Sequence, residues 1–340
     1  MAVRNPRATI RDVAQASGVS ISAVSRILNG DPTMRVREET RDAVHNAIAA
    51  LGYMPNTQAK ALRQARVGTL GMIAPEIYSP AFPELVRGAQ QAASDCGYSL
   101  ILAGLGADGE NPRLARELLQ RNHVDGVLLS TGLMEEAVLA EARALTAPAV
   151  LLNRYIDESF PHVIVDDQAG AMQLMAYLTG LGHRRIAYLG ALDRSLGSRR
   201  LAGFTQALDE AGLALAPEMM IETGYEREDG EQAAAGLLDR PEPPTAIIAT
   251  NHVVAAGVVI AARERGIAVP GGLSVASFYD TPLAELLTPS LTSVRYPLQT
   301  LGDQAVRLLV DLIEDKAPEA LGQIIPPDGV IVRHSTGPIG

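Results

Sequence analysis

From Val67 onward, short apolar runs alternate with longer stretches whose apolar residues recur at helical spacing, and this leaves few folds open. The runs predict strands at GTLGMIAP from Gly68, SLILAG from Ser99, DGVLLS from Asp125, AVLLN from Ala149, VIVDD from Val163, RIAYLGA from Arg185, TAIIAT from Thr245 and LSVASFYD from Leu273. Helices are expected between them, among others over Glu84 to Cys96, Pro112 to Gln120, Gln168 to Leu181, Arg199 to Ala211, Gly230 to Leu238 and Val253 to Arg265. Runs without strict polar alternation suit strands buried on both faces, so the expected class is α/β: parallel sheets with helices on both sides. So many elements exceed one comfortable doubly wound sheet. The body therefore divides into two similar subdomains.

The first part of the chain has a different grammar. Thr9 to Asn29, TIRDVAQASGVSISAVSRILN, reads as two short helices joined by a tight turn. Thr9 with Asp12 forms a capping box, and Val13, Ala14 and Ala16 give the first helix a small apolar face. Gly18 ends it. Val19 turns inward, Ser20 caps the second helix, and Val24, Ile27 and Leu28 recur at spacings of three and four. This is the pattern of a helix-turn-helix, whose second helix lies in the DNA major groove. Ile21, Ser22, Ala23, Ser25, Arg26 and Asn29 are left on the outer face to meet nucleic acid. Glu38 to Leu51, closed by Gly52, supplies a third helix to complete a small core. The following Pro55 to Arg63 is basic and alanine-rich, with Asn56 able to cap it. A helix of about two turns is too short to stand alone in water and would fold against a partner.

Charge follows the same division. Met1 to Arg66 holds ten Lys or Arg against five Asp or Glu, a net of +5, whereas the remainder holds 19 against 34, a net of −15. A basic head on an acidic body lets only the head approach a polyanion. The single cysteine, Cys96, excludes an internal disulfide and a multi-cysteine metal site, and its place at a helix end suits a buried structural thiol. MAVRNPRAT has no apolar export core, and no run approaches the roughly 20 apolar residues that span a bilayer. The expected location is the cytoplasm.

Taken together, TIRDVAQASGVSISAVSRILNG, YMPNTQAKALR, LGHRRIAYLG, SRRLAGF and TPSLTSVRYP resemble the LacI/GalR family of bacterial transcription regulators, in order and spacing, over nearly the whole chain. The resemblance implies a helix-turn-helix domain at 1–54, a hinge helix and linker at 55–66, and a periplasmic-binding-protein-like effector-binding and dimerisation body at 67–340. It places an N-subdomain at about 67–165 and 294–322 and a C-subdomain at about 166–293 and 323–340. It also implies a homodimer, most readily a repressor, on near-palindromic double-stranded operator DNA. Each hinge helix would wedge a leucine, here Leu62, into the minor groove. No cofactor and no metal is required.

By resemblance, the base-reading positions fall on Ile21, Ser22 and Ala23. Ile21 and Ala23 have no side-chain donors and would read thymine methyls or shape, so Arg26 is the more discriminating contact. Ala23 stands where the family commonly has threonine. Ser20 and Ser25 suit phosphate anchoring, and Thr9, Asn29, Asn56 and Ala59 complete the expected DNA-contacting set.

The resemblance carries the effector contacts onto Phe82, Asn153, Arg154, Arg194, Arg200, Tyr225, Asn251 and Tyr279. Arg200, in SRRLAGF, is the family hallmark, and its fixed fork suits two hydroxyls or a carboxylate. Arg199 reads as a surface charge. The Asn251 amide can both donate and accept. Phe82 and Tyr225 offer flat faces, with plain core packing the competing role. His252 and Tyr279 stand where the family usually has aspartates. With Arg154, Arg194 and Arg200 retained, the expected effector is a sugar, a sugar acid, a sugar phosphate or another small anion, with Asp280 compensating if it is neutral.

Two rival readings are weaker. An enzyme would need a chemistry-bearing motif, yet GxSxG, a P-loop and metal-spaced His/Asp/Glu clusters are absent. His252 suits a ligand hydrogen bond or packing better than general-base work, and Asp166 with Asp167 reads as helix capping better than as a carboxylate dyad. A solute-binding protein for transport would share the body, but not the basic head.

Overall fold

The computed structural model describes residues 8–28, 34–53, 66–74, 80–104, 123–130, 147–192, 196–214 and 216–339, in two compact units, Met1–Val67 and Gly68–Gly340.

The small unit is built on α1 (Ile10–Ser17), α2 (Ile21–Leu28) and α3 (Glu38–Leu51). Its core is Val13, Ala14, Val24, Val44 and Ala47, with Ile10, Val19, Ile27, Leu28, Ile48 and Tyr53 packed around them. The Asp12 carboxylate accepts from both the amide and the hydroxyl of Thr9, at 2.7 Å each. These bonds hold the Asp12 carboxyl below its ordinary value. Gly18 takes a left-handed conformation (φ 69°) that a side chain would strain, and this turn lets Val19 fold back on α1. The Ser20 hydroxyl accepts from the Ala23 amide at 3.1 Å, capping α2 as its sequence suggests.

The large unit contains two six-stranded sheets. The first uses β1 (Thr69–Ala74), β2 (Ser99–Gly104), β3 (Gly126–Leu129), β4 (Ala149–Leu152), β5 (His162–Val165) and β11 (Gly322–Ile325). The second uses β6 (Ile186–Leu189), β7 (Met220–Ile221), β8 (Ala246–Ala249), β9 (Ser274–Phe278), β10 (Thr292–Arg295) and β12 (Gly329–Ile331). Their orders, β11-β5-β4-β3-β1-β2 and β12-β10-β9-β8-β6-β7, repeat one doubly wound plan. All pairings are parallel except β10 with β12.

Among the described residues, the helices of this unit are α4 (Phe82–Asp95), α5 (Asp167–Gly180), α6 (Leu196–Glu210), α7 (Arg227–Leu238), α8 (His252–Glu264), α9 (Pro282–Leu286) and α10 (Leu298–Ile313). α10 lies against α4 over the first sheet, and α7 lies against α8 over the second. Both pairs come close through glycine: a Cβ at Gly88 would overlap the Gln299 carbonyl, and one at Gly257 the Arg227 carbonyl. The eight expected strands form within a residue or two of their predicted limits. The expected helix at Pro112 to Gln120 lies outside the described residues. Cys96 is half-buried at the end of α4.

The chain passes between the two layers three times. It leaves the first after β5, returns after Arg295 to build α10 and β11, and ends in the second with β12. β10 thus belongs wholly to the second sheet and β11 to the first, a few residues beyond the sequence-based limits of 293 and 322. One apolar cluster joins the layers, from Leu70, Met72 and Leu128 to Tyr188, Ile248 and Phe278.

Candidate nucleic-acid face and ligand cleft

On α2 the side chains expected to face DNA divide by exposure. Ile21, Ser22 and Arg26 are exposed, with Ile21 at 44%, whereas Ala23 and Ser25 are half-buried and Val24 is in the core. Thr9 is exposed at the start of α1. The expected contacts Asn29, Asn56, Ala59 and Leu62 lie outside the described residues.

In the large unit, strand ends from both sheets converge on one cleft. Ala74 ends β1, Ser130 follows β3 and Asn153 follows β4; from the other sheet come Ala191 after β6, Thr250 and Asn251 after β8, and Tyr279 after β9. The carboxyl ends of parallel strands are where this architecture leaves an open crevice. Phe82, Leu85 and Leu298 line it from the first layer's helices, and Tyr225, Tyr188 and Arg200 from the second layer. It holds about 860 Å³ of unfilled space, part of it open to solvent.

Seven of the eight expected effector residues therefore line one cavity: Phe82, Asn153, Arg154, Arg200, Tyr225, Asn251 and Tyr279. Arg194 lies outside the described residues. Phe82 serves both expected roles, since it is buried in the apolar cluster and faces the cleft.

The electrostatics differ from what the sequence suggests. Arg200 is 4% exposed, and its Nε donates to Oδ1 of Asp167 at 2.6 Å. Its Nη1 donates to the Thr250 hydroxyl at 2.8 Å, and its Nη2 to the Tyr279 hydroxyl at 3.0 Å. Its guanidinium carbon sits 4.1 Å from the Phe278 ring centroid. Asp167 is 0% exposed. Burial pushes its carboxyl up against the downward pull of Arg200. Burial works to lower Arg200, but Asp167 and the nearby phenols outweigh it and hold the guanidinium well above its ordinary value. The pair is neutral as a unit. The excess of positive charge inferred from three arginines does not include Arg200.

The acidic doublet thus splits its work. Asp166 caps α5, accepting from the Ala169 amide at 3.1 Å, and meets Arg199 at 3.4 Å, while Asp167 turns inward to Arg200. Capping was expected of both; Asp167 is instead the buried partner of Arg200, and Arg199 is paired rather than a bare surface charge. Sequence reasoning could have found this from one signal, an acidic doublet after a strand with an arginine doublet opening the next helix.

The remaining polar groups are largely committed. The Asn251 Oδ1 accepts from the Val254 amide at 2.8 Å and its Nδ2 donates to the Tyr225 carbonyl at 3.1 Å, so both ends of that amide serve the fold. The Asn153 Nδ2 donates to the Tyr279 hydroxyl at 3.1 Å, joining the two layers. Its Oδ1 is buried with no partner. Asn153 and Tyr279 both have left-handed backbones, φ 53° and 63°, an uncommon conformation that collects at ligand clamps. Asp280 does not face this cleft. It joins Arg333 and Arg295 at 2.6 Å each; burial raises its carboxyl, and these two arginines bring it below the usual range. His252 is also away from the cavity, buried between the hydroxyls of Thr281 (3.2 Å) and Ser293 (3.4 Å). Burial lowers its imidazole to about 4. Its role is packing.

Among the described residues, no cluster of His, Cys, Asp and Glu could hold a metal ion, and no helix is long and apolar enough to cross a membrane.

Known proteins match both units. The family described as bacterial regulatory proteins, lacI family, matches residues 9–56, and the periplasmic binding protein-like domain matches 175–336. The HTH-type transcriptional regulator DegA of Bacillus subtilis (strain 168) is 33% identical over 340 residues, covering 98% of this chain and 99% of the relative. Among solved structures, a lac repressor dimer bound to operator and the anti-inducer ONPF has a TM-score of 0.80 at 27% identity, covering 97% of this chain and 99% of that one. A complex of the transcriptional regulator CelR with cellobiose has a TM-score of 0.74 at 30% identity, covering 97% and 100%.

Proposed function

Since the chain belongs to the lacI family of bacterial regulatory proteins, a family of DNA-binding transcriptional regulators and not of enzymes, we infer that it is a ligand-controlled repressor. It acts in the cytoplasm as a homodimer whose two heads read the halves of a near-palindromic operator. The effector is a small hydroxylated molecule of the sugar class, held by Phe82, Asn153, Arg154, Arg200, Tyr225, Asn251 and Tyr279, with Arg194 as a further contact. The observation that carries this reading is the convergence of strand ends from both sheets on one cavity.

The mechanism follows from the two layers. A ligand that bridges them changes how far they close, and in a dimer this alters the spacing of the hinge segments at 55–66. Such coupling is typically worth about 1–3 kcal/mol and is reciprocal, so operator DNA changes ligand affinity by the same factor. In the head, Ile21 and Ala23 read methyls or shape, Ser22 tolerates either, and Arg26 discriminates. Thr9, Ser20, Ser25, Asn29, Asn56 and Ala59 position the head on the backbone, and Leu62 wedges the operator centre.

An electrophoretic shift with the DNA upstream of this gene, with and without a panel of mono- and disaccharides, tests the reading. The expected result is a shifted complex that one sugar releases or strengthens. No shift at moderate salt, together with turnover of a substrate, would overturn it. Leu62→Ala should weaken operator binding and leave ligand affinity of the free protein intact.

A further inference from the structure

We propose that Asp167 is the specificity-determining residue of the cleft: as the fixed counter-ion of Arg200 it selects an uncharged, hydroxylated ligand and turns away the corresponding acid or phosphate. The proposal rests on the effector-site reading above and says which charge that site accepts.

An enclosed guanidinium needs a negative partner. Usually a ligand carboxylate can provide it, because a protein carboxylate nearby can turn out to solvent. Asp167 cannot. It is the first residue of α5, 0% exposed, with Asp166 on one side holding the helix end through the Ala169 amide. An anion reaching Arg200 would meet the negative charge of Asp167, which has no exposed surface for water to screen.

Beside Arg200 two buried acceptors have no partner, Asp167 Oδ2 on the ion pair itself and Asn153 Oδ1. The Tyr279 hydroxyl accepts from both Asn153 Nδ2 and Arg200 Nη2, which leaves its own proton to give. One donor and two acceptors at one place, around a pair with no net charge, match hydroxyl groups, which can donate to both acceptors, whereas an acid or phosphate brings mostly acceptors. The aromatic side chains Phe82 and Tyr225 on the same cavity can cover the apolar face of a ring.

The test is isothermal titration of the full-length protein, its Asp167→Asn variant and the Asp167→Asn/Arg200→Gln double variant. The probes are inorganic phosphate, D-gluconate and D-glucose. Asparagine keeps an oxygen for Arg200 Nε, removes the charge and puts an amide nitrogen in place of the unpaired Oδ2. Phosphate and gluconate should bind Asp167→Asn at least about tenfold more tightly than the parent, a change of about 1.4 kcal/mol, and the gain should vanish in the double variant. Absence of the gain overturns the proposal, as does a gain that survives Arg200→Gln, or a parent protein that prefers gluconate to glucose. If Asp167→Asn is too unstable to titrate, its melting temperature is followed instead. Phosphate should raise it in the variant and not in the parent, and an equal response in both overturns the proposal. Failure of the effector reading has a separate signature, an operator complex that no sugar alters.

Discussion

The recognition helix and the cleft both present polar groups to a partner, but they are built on opposite terms. On α2, Ile21, Ser22 and Arg26 are exposed over a core of five small or branched residues. In the proposed reading, these side chains meet DNA as separate contacts. In the cleft, buried Arg200, Asp167 and Thr250 and half-buried Tyr279 and Asn153 are joined by hydrogen bonds. There no residue can change alone, because its partner is left unpaired in a poorly solvated place. Specificity on the helix is a matter of which atoms are displayed; in the cleft it depends on which atoms remain unpaired.

The sharpest way to break this contrast is Arg200→Met. Removing one member of a buried ion pair leaves Asp167 uncompensated, and the large unit should lose about 3–5 kcal/mol in urea unfolding followed by circular dichroism. A loss below about 1 kcal/mol would mean the pair is not coupled to the fold, since that is the scale of an exposed ion pair.

Second in size is a pH effect from His252, buried in the same layer but outside the cleft. Its imidazole is lowered to about 4, from an ordinary 6.5. The unfolded chain therefore takes up a proton as pH falls through 6.5, while the folded chain refuses it until about pH 4. Stability attributable to this residue should be constant above pH 6.5 and fall by about 3 kcal/mol on the way down to pH 4. Denaturant titrations across that range, compared with His252→Gln, should show the slope flattened in the variant.

On the helix the expected effects are smaller and separable. Arg26→Ala should relax discrimination at one base pair by about 1–3 kcal/mol, read by competition with single-base operator variants. Ser20→Ala removes the cap on the Ala23 amide and should cost the small unit about 1 kcal/mol in thermal unfolding. An Arg26 effect that cannot be separated from head stability would erase the distinction between the two regions.

The same contrast explains what the sequence makes legible. Local rules suffice for the small unit: α3 runs over Glu38–Leu51 as its periodicity predicts, and Gly18 and Ser20 act where the turn requires them. The buried strands of the body are legible too, because burial on both faces writes unbroken apolar runs. β7, β10, β11 and β12 are not among the expected strands: each is two to four residues long, β7, β11 and β12 lie half-exposed at sheet edges, and β10 is buried but carries the polar residues Thr292, Ser293 and Arg295. α10 has a clear apolar stripe through Leu298, Leu301, Ala305 and Leu309 and belongs with the predictable helices; what sequence does not show is that it crosses back to the first layer. In the cleft, residue identities are legible by resemblance, but their charge balance is not. Arg200 meets Asp167 from 33 positions away, and both look like ordinary helix-end charges until the fold brings them together.

The triple passage of the chain between its layers also sets a clock on synthesis. β5 is complete at Val165, but its neighbour β11 begins at Gly322, and α10, which covers β3, β4 and β5, begins only at Leu298. At roughly 5–20 residues per second, the ribosome needs on the order of ten seconds to deliver that helix after β5 emerges. Through that interval the second layer's strands up to β10 are made while the first still waits with an apolar flank open. The first layer of the body is begun before the second but closed only a few residues before the second gains β12, so both layers are completed almost together at the end of translation.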